Sequence, residues 1–216
     1  MRVAVGTVAC LLAAALAAGT ASSGTEARPR VTFFGDSVAA ALALEPKART
    51  MLAKGLDLRI DAKVCRRLAA TGCPYRGDRP ASVLALVERP AEPLGSVVVV
   101  DVGYNDDPSA YGDDIDRVMQ VLVRHGVATV IWVTMQENRV LYRTTNAAIR
   151  DASRRWPQLR IADWHEASRA KATWFGHDGL HLSSQGAIGL ARFLRPHLVA
   201  SSCLAACQRA KRAEES

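Results

Sequence analysis

Four polar side chains in this 216-residue sequence have the types needed for acyl transfer. Ser37 closes the stretch Val31-Thr32-Phe33-Phe34-Gly35-Asp36-Ser37, and Asn105 follows Gly103-Tyr104. Asp178 and His181 stand three residues apart in Gly176-His177-Asp178-Gly179-Leu180-His181. Acyl transfer by serine needs a hydroxyl, a base to take its proton, a carboxylate to orient the base, and donors for the oxyanion. Ser37 offers the hydroxyl, His181 the base, Asp178 the carboxylate and Asn105 an amide donor. Each also has a plainer reading. Asp36 and Ser37 are good helix caps, Asn105 suits a turn, and Asp178 with His181 suits a polar loop before a helix.

The elements around these residues decide between the readings. Val31 to Phe34 is an apolar run closed by Gly35, which reads as a buried strand ending in a sharp turn. The Ala/Leu-rich segment from Val38 to Lys54 suits a helix that Pro46 must break or bend. Ser37 then sits at a strand-to-helix corner, flanked by free backbone N–H groups that can stabilise an oxyanion. Leu56 to Val64 alternates apolar and charged residues, the pattern of a half-exposed strand. A long loop from Cys65 to Pro80 and a short helix from Ser82 to Glu88 follow. Ser96 to Val102 is apolar without alternation, as in a parallel sheet covered on both faces. Ile115, Val118, Met119, Leu122 and Val123 mark an amphipathic helix ended by Gly126. Val127–Val133 and Leu159–Trp164 read as strands, and Thr144–Trp156 and Gly186–Val199 as helices. Strands alternating with helices predict an α/β fold with about five parallel strands. Ligands of such sheets bind at the carboxyl ends of the strands. Ser37, Asn105 and the Asp178–His181 loop all fall at that edge, which argues against three unrelated caps.

Composition sets the bounds. Met1-Arg2, an apolar run from Val3 to Ala18 and a small-residue exit predict a signal peptide over residues 1–21, cleaved after Ala21. A polar linker spans 22–30, one domain spans 31–200, and a basic tail spans 201–216, expected to be disordered beyond Cys207. The protein is therefore expected to be secreted or extracytoplasmic and monomeric, with no membrane span after signal removal. Cys65, Cys73, Cys203 and Cys207 remain, an even count that suggests two disulfides and no free thiol. Four cysteines allow three pairings; Cys65–Cys73 with Cys203–Cys207 closes the shortest loops and is preferred. A zinc site is the rival reading, but no Cys-x-x-Cys pair is present. No His/Asp/Glu cluster has metal spacing, so neither metal nor cofactor is expected. His125, His165 and His197 read as helix-end, surface or packing residues, and His177 as a loop residue. The net charge of +7 is spread over solvated faces with few interleaved aromatics, which gives nucleic-acid binding little support.

Gly35-Asp36-Ser37, Gly103-Tyr104-Asn105-Asp106 and Asp178-Gly179-Leu180-His181 occur in this order at matching strand ends. Together they resemble the first, third and fifth sequence blocks of the SGNH (GDSL-type) hydrolases, and the resemblance covers the whole domain. It implies a three-layer α/β/α flavodoxin-like sandwich with strand order 2-1-3-4-5, and ester hydrolysis through an acyl-serine. It casts Ser37 as nucleophile, His181 as base and Asp178 as its orienting acid. It casts the Ser37 N–H, the Asn105 side chain and a backbone N–H of the second block as the oxyanion hole. In that block the family usually has Gly, and Arg66 stands there instead.

Three functions follow as expectations. One is a serine esterase acting on carboxylic or O-acetyl esters of a small molecule or a polysaccharide. Another is an extracytoplasmic O-acyltransferase with the same acyl-serine. The third is a non-catalytic carbohydrate- or envelope-binding module, which would have no need of all four polar residues.

Overall fold

Val97–Asp101 is buried at every position, and a strand with no exposed face must be covered on both sides. This run forms β3 at the centre of the sheet. The computed structural model describes residues 28–214. In chain order the elements are β1 (Arg30–Gly35), α1 (Ala40–Leu44), α2 (Pro46–Ala53), β2 (Asp57–Ala62), α3 (Val83–Glu88) and β3. Then follow α4 (Tyr111–Arg124), β4 (Thr129–Val133), α5 (Val140–Arg155), β5 (Leu159–Ala162), α6 (Trp164–Ser168), a 3-10 turn (Ala172–Trp174) and α7 (Ser184–Glu214). The five strands form one parallel sheet in the order β2-β1-β3-β4-β5.

The two-residue period of the strands divides the core into two layers. Val98 and Val100 of β3 and Val130 and Trp132 of β4 pack with α3, α4 and α5. Val97, Val99, Ile131 and Val133 face α1, α2 and α7. The register aligns Gly35, the last residue of β1, with Ala62 and Asp101, so three strands end level at the edge that carries Ser37.

The expected helix over Val38–Lys54 is two helices. Glu45, the residue before Pro46, is driven to extended backbone (ψ 106°), and Pro46 opens α2 at a position where its missing N–H costs nothing. α5 begins at Val140, four residues before the expected Thr144, and β5 stops at Ala162 because Asp163 caps α6.

The C-terminal expectations are corrected. α7 runs on to Glu214 in place of a disordered tail, since no Gly or Pro follows Pro196 and the Ala/Arg/Lys/Glu-rich sequence favours helix. Its extension is anchored by buried Ser201, Ser202 and Ala205. Cys203 and Cys207 are free, exposed thiols and not a disulfide. On a helix, residues four apart hold their Cβ atoms about 5–6 Å apart, wider than the roughly 3.5–4.5 Å of a disulfide. Cys65–Cys73 is bridged as expected. No helix among the described residues is long and apolar enough to cross a membrane. The expected signal peptide, and the linker up to Ala27, lie outside the described residues.

Candidate active site

Ser37 occupies the corner between β1 and α1 and is half-buried. Gly35 makes the corner possible: a Cβ there would lie 2.4 Å from the Ala39 Cβ and 3.1 Å from that of Ala62. The neighbouring carboxylate of Asp36 is fully buried. It accepts the Val38 N–H at 3.0 Å and the N–H groups of Gly103 and Tyr104 at 3.2 Å each. One side chain thus ties the β1 corner to the loop after β3. Burial pushes its pKa up to about 6, opposed by those three donors and by His181.

The Asp178–His181 loop is closed by an antiparallel bridge between Phe175 and Leu182 and by the Gly176 N–H on the His181 carbonyl at 2.8 Å. It lies against the start of α7, where the Ser183 N–H reaches the Trp174 carbonyl at 2.9 Å. Gly186 allows this approach, because a Cβ there would sit 1.9 Å from the Trp174 oxygen. Within the loop the Asp178 Oδ1 accepts the N–H groups of Leu180 and His181 at 2.9 and 3.0 Å. Its Oδ2 lies 2.6 Å from His181 Nδ1. His181 Nε2 lies 3.0 Å from Ser37 Oγ. The His181 hydrogen bond, with the two backbone donors, holds the Asp178 carboxyl well below the usual carboxylate range. The Asp178 carboxylate therefore stays ionised and can stabilise an imidazolium. Both side chains remain open to solvent, 51% for His181 and 38% for Asp178.

The loop after β2 does not present the Arg66 N–H as expected. That N–H donates to the Lys63 carbonyl at 3.2 Å, in a tight turn that Cys65 enters with φ +66°. The Arg66 side chain turns inward instead. Its Nη2 pairs with Asp61 at 2.9 Å, Nε donates to the Ala81 carbonyl at 3.2 Å, and Nη1 reaches the carbonyls of Asp61 and Gly35. Its own carbonyl accepts Asn105 Nδ2 at 3.2 Å. An amide nitrogen carries two N–H groups, so one is used to fix Asn105 and one remains. The Ser37 N–H meets no protein acceptor among the described residues. Asp106 next to Asn105 accepts the Leu68 N–H at 2.8 Å, and burial pushes its pKa up to about 7.

Ser37, Asn105, Asp178 and His181 are thus brought to one edge. Asn138 was not foreseen. Its Nδ2 donates to the Gly179 carbonyl at 2.9 Å and reaches that of Asp178 at 3.5 Å, so it clamps the loop that carries Asp178 and His181. The available signal was a polar residue just beyond a buried strand, at the same edge as the others. His177 is exposed, and His125 caps the end of α4. His197 packs on Phe193. Among the described residues no group of three His, Cys, Asp or Glu side chains could hold a metal ion.

No family model matches the chain. Over 93 residues, 43% of its length, it is 26% identical to putative O-acetyltransferases of Staphylococcus aureus strains COL and MRSA252. That match spans about 15% of those relatives' own length. TesA superposes with a TM-score of 0.61 at 17% identity, covering 80% of this chain and 99% of that one. A putative arylesterase from Agrobacterium tumefaciens str. C58 gives 0.61 at 16% identity, over 80% and 99% of the two chains. A carbohydrate acetylesterase family member from Sinorhizobium meliloti gives 0.58 at 15% identity, over 81% and 99%. With its five parallel strands, their order and its two helical layers, the chain has the fold of the SGNH hydrolases.

Proposed function

We propose that the protein is a secreted serine esterase that cleaves carboxylic or O-acetyl esters through an acyl-serine. The observation that carries this reading is the continuous relay from Asp178 through His181 to Ser37, at 2.6 and 3.0 Å. Ser37 Oγ attacks the ester carbonyl carbon while His181 Nε2 takes its proton and Asp178 holds the Nδ1–H. The charge that develops on the carbonyl oxygen is met by the Ser37 N–H and the free N–H of Asn105. Arg66 acts indirectly, through the carbonyl that fixes Asn105. His181 then protonates the departing alcohol, and water activated by the same imidazole releases the acid.

Aryl acetate hydrolysis by the purified protein tests this. Wild type should turn over, and Ser37→Ala should be inactive. Equal rates for the two would remove Ser37 as nucleophile. A second reading, O-acyl transfer, is favoured by the similarity to putative O-acetyltransferases. It differs only in the acceptor, and would show as acetyl transfer to an added saccharide in preference to water. Export is supported by the Cys65–Cys73 disulfide.

A further inference from the structure

The C-terminal half of α7 has its polarity inverted. On a helix of about 3.6 residues per turn, Val199, Ala200, Cys203, Leu204 and Cys207 fall on one side, and all five are exposed. Val199 is 40% exposed and Leu204 44%. The opposite side holds Leu198, Ser201, Ser202 and Ala205, all buried. Two serines are thus inside while the aliphatic side chains are outside, and the Ser202 Oγ is buried with no hydrogen-bond partner among the described residues. An exposed apolar stripe of this kind marks a surface that something covers.

Charge identifies the cover. From Pro46 to Ala53 and from Ser184 to Cys207, α2 and α7 contain no carboxylate. These helices and the cap after α2 carry Lys47, Arg49, Lys54, Arg192 and Arg195. None of the five forms an ion pair among the described residues. The neighbouring N-cap carboxylate, Glu45, accepts the Lys47 N–H at 3.2 Å. Arg195 Nη1 reaches the Leu52 carbonyl at 3.4 Å, which places it at the seam of α2 and α7. Arg192 lies about two turns before Val199 on the same exposed side of α7. The helical layer across the sheet differs, because Arg117, Arg154 and Arg155 there are paired with Asp114, Asp151 and Asp116. A second copy of this chain would set cation against cation, which is unfavourable. An apolar stripe beside unpaired cations fits a partner that offers both anionic groups and hydrocarbon.

We propose that this face docks the protein on an anionic phospholipid bilayer. The α7 stripe lies at the boundary of headgroups and acyl chains, and the cations of α2 and α7 meet the headgroup phosphates. Leu204 lines one hollow with Gly126 and Pro157, which precede β4 and β5. Ser37 stands at the other end of the sheet, after β1. Docking therefore leaves the triad at the far edge, open to solvent, and it is independent of the chemistry at Ser37.

Sedimentation with lipid vesicles tests the docking. Purified protein should bind vesicles of phosphatidylcholine and phosphatidylglycerol in equal amounts, bind pure phosphatidylcholine about tenfold more weakly, and come off as salt is raised. Val199→Glu and Leu204→Glu should each weaken binding to the anionic vesicles about tenfold, and the Arg49→Glu/Arg192→Glu double variant at least as much. Val140→Glu, at an exposed apolar residue of α5 in the other layer, should change nothing. Melting temperatures close to wild type separate a lost contact from a folding defect. Wild type alone gives a second readout. A charged, water-soluble maleimide should label Cys203 and Cys207 about tenfold more slowly on the anionic vesicles than in solution, because the stripe is then covered. No binding to those vesicles, or binding with both thiols as reactive as in solution, would overturn the docking. So would equal protection of the thiols by dextran sulfate, which has the charge without the hydrocarbon. A dimeric mass with the thiols protected in the absence of lipid would give the face to a second copy and overturn it as well.

Discussion

Asn105 and Asn138 are both half of a contact whose other half is a backbone carbonyl, and they separate two kinds of loss. In the proposed mechanism, Asn105→Ala removes a donor to the oxyanion. It should lower kcat by about 10²–10³ with little change in KM, while the melting temperature stays near wild type. Unchanged kcat would remove the oxyanion role. Asn138 touches no reacting atom, but it holds the carbonyls of Asp178 and Gly179. Asn138→Ala should cost between about 10- and 100-fold in kcat through misplaced geometry. Unchanged kcat in Asn138→Ala would leave Asn138 a surface residue. The difference in legibility has the same root. Ser37, Asn105, Asp178 and His181 announce themselves by residue type and place along the chain. Asn138 and Asp36 work by holding main-chain groups, and a pattern of side chains does not say which carbonyl or N–H will come within reach.

At the scale of elements, the loop after β2 is held by three devices: the Cys65–Cys73 disulfide, the buried Arg66 and the Leu68 bond to Asp106. A bridge closing so short a loop stabilises by only about 2–3 kcal/mol in the chain-entropy account. Its larger effect should be on shape, since the Arg66 carbonyl that fixes Asn105 follows Cys65 directly. The Cys65→Ser/Cys73→Ser double variant should therefore stay folded at 25 °C and lose activity more steeply than stability. Retained kcat with a lowered melting temperature would make the bridge purely a staple. The sheet was readable from sequence because β3 and β4 are runs of β-branched residues buried on both faces, while β2 alternates apolar and charged positions. The short α6 and the 3-10 turn at Ala172–Trp174 were not, since three to five residues carry too little periodicity. The length of α7 was missed because a charge-rich sequence reads alike as a helix and as a free tail.

For the whole molecule, the buried carboxylates set an unusual response to pH. Burial raises Asp36 to about 6, Asp106 to about 7, and Asp101 well above its ordinary value, with the Asp36 charge adding to Asp101. A carboxyl raised in the folded state binds more protons there than in the unfolded chain. Its contribution to stability is present below about pH 4 and is lost as pH rises through the folded value. The melting temperature should therefore rise as pH is lowered from about 7.5 to 5, by a free energy on the order of 1.4 kcal/mol for Asp36 alone. Asp178, shifted the other way, reverses the trend only below about pH 4. A flat or falling melting temperature between pH 7.5 and 5 would show that these carboxyls find more compensation than their surroundings provide. Thiol titration of the native protein should find two reactive groups, Cys203 and Cys207. Finding none would restore the second bridge.

The openness of the triad carries a practical consequence. With half of the His181 side chain in solvent, the Ser37 hydroxyl faces outward on a shallow edge. A fluorophosphonate tethered to a bulky reporter should then modify the protein about as fast as a small one does. The same exposure would let the protein be captured from a mixture by a reagent fixed to a solid support.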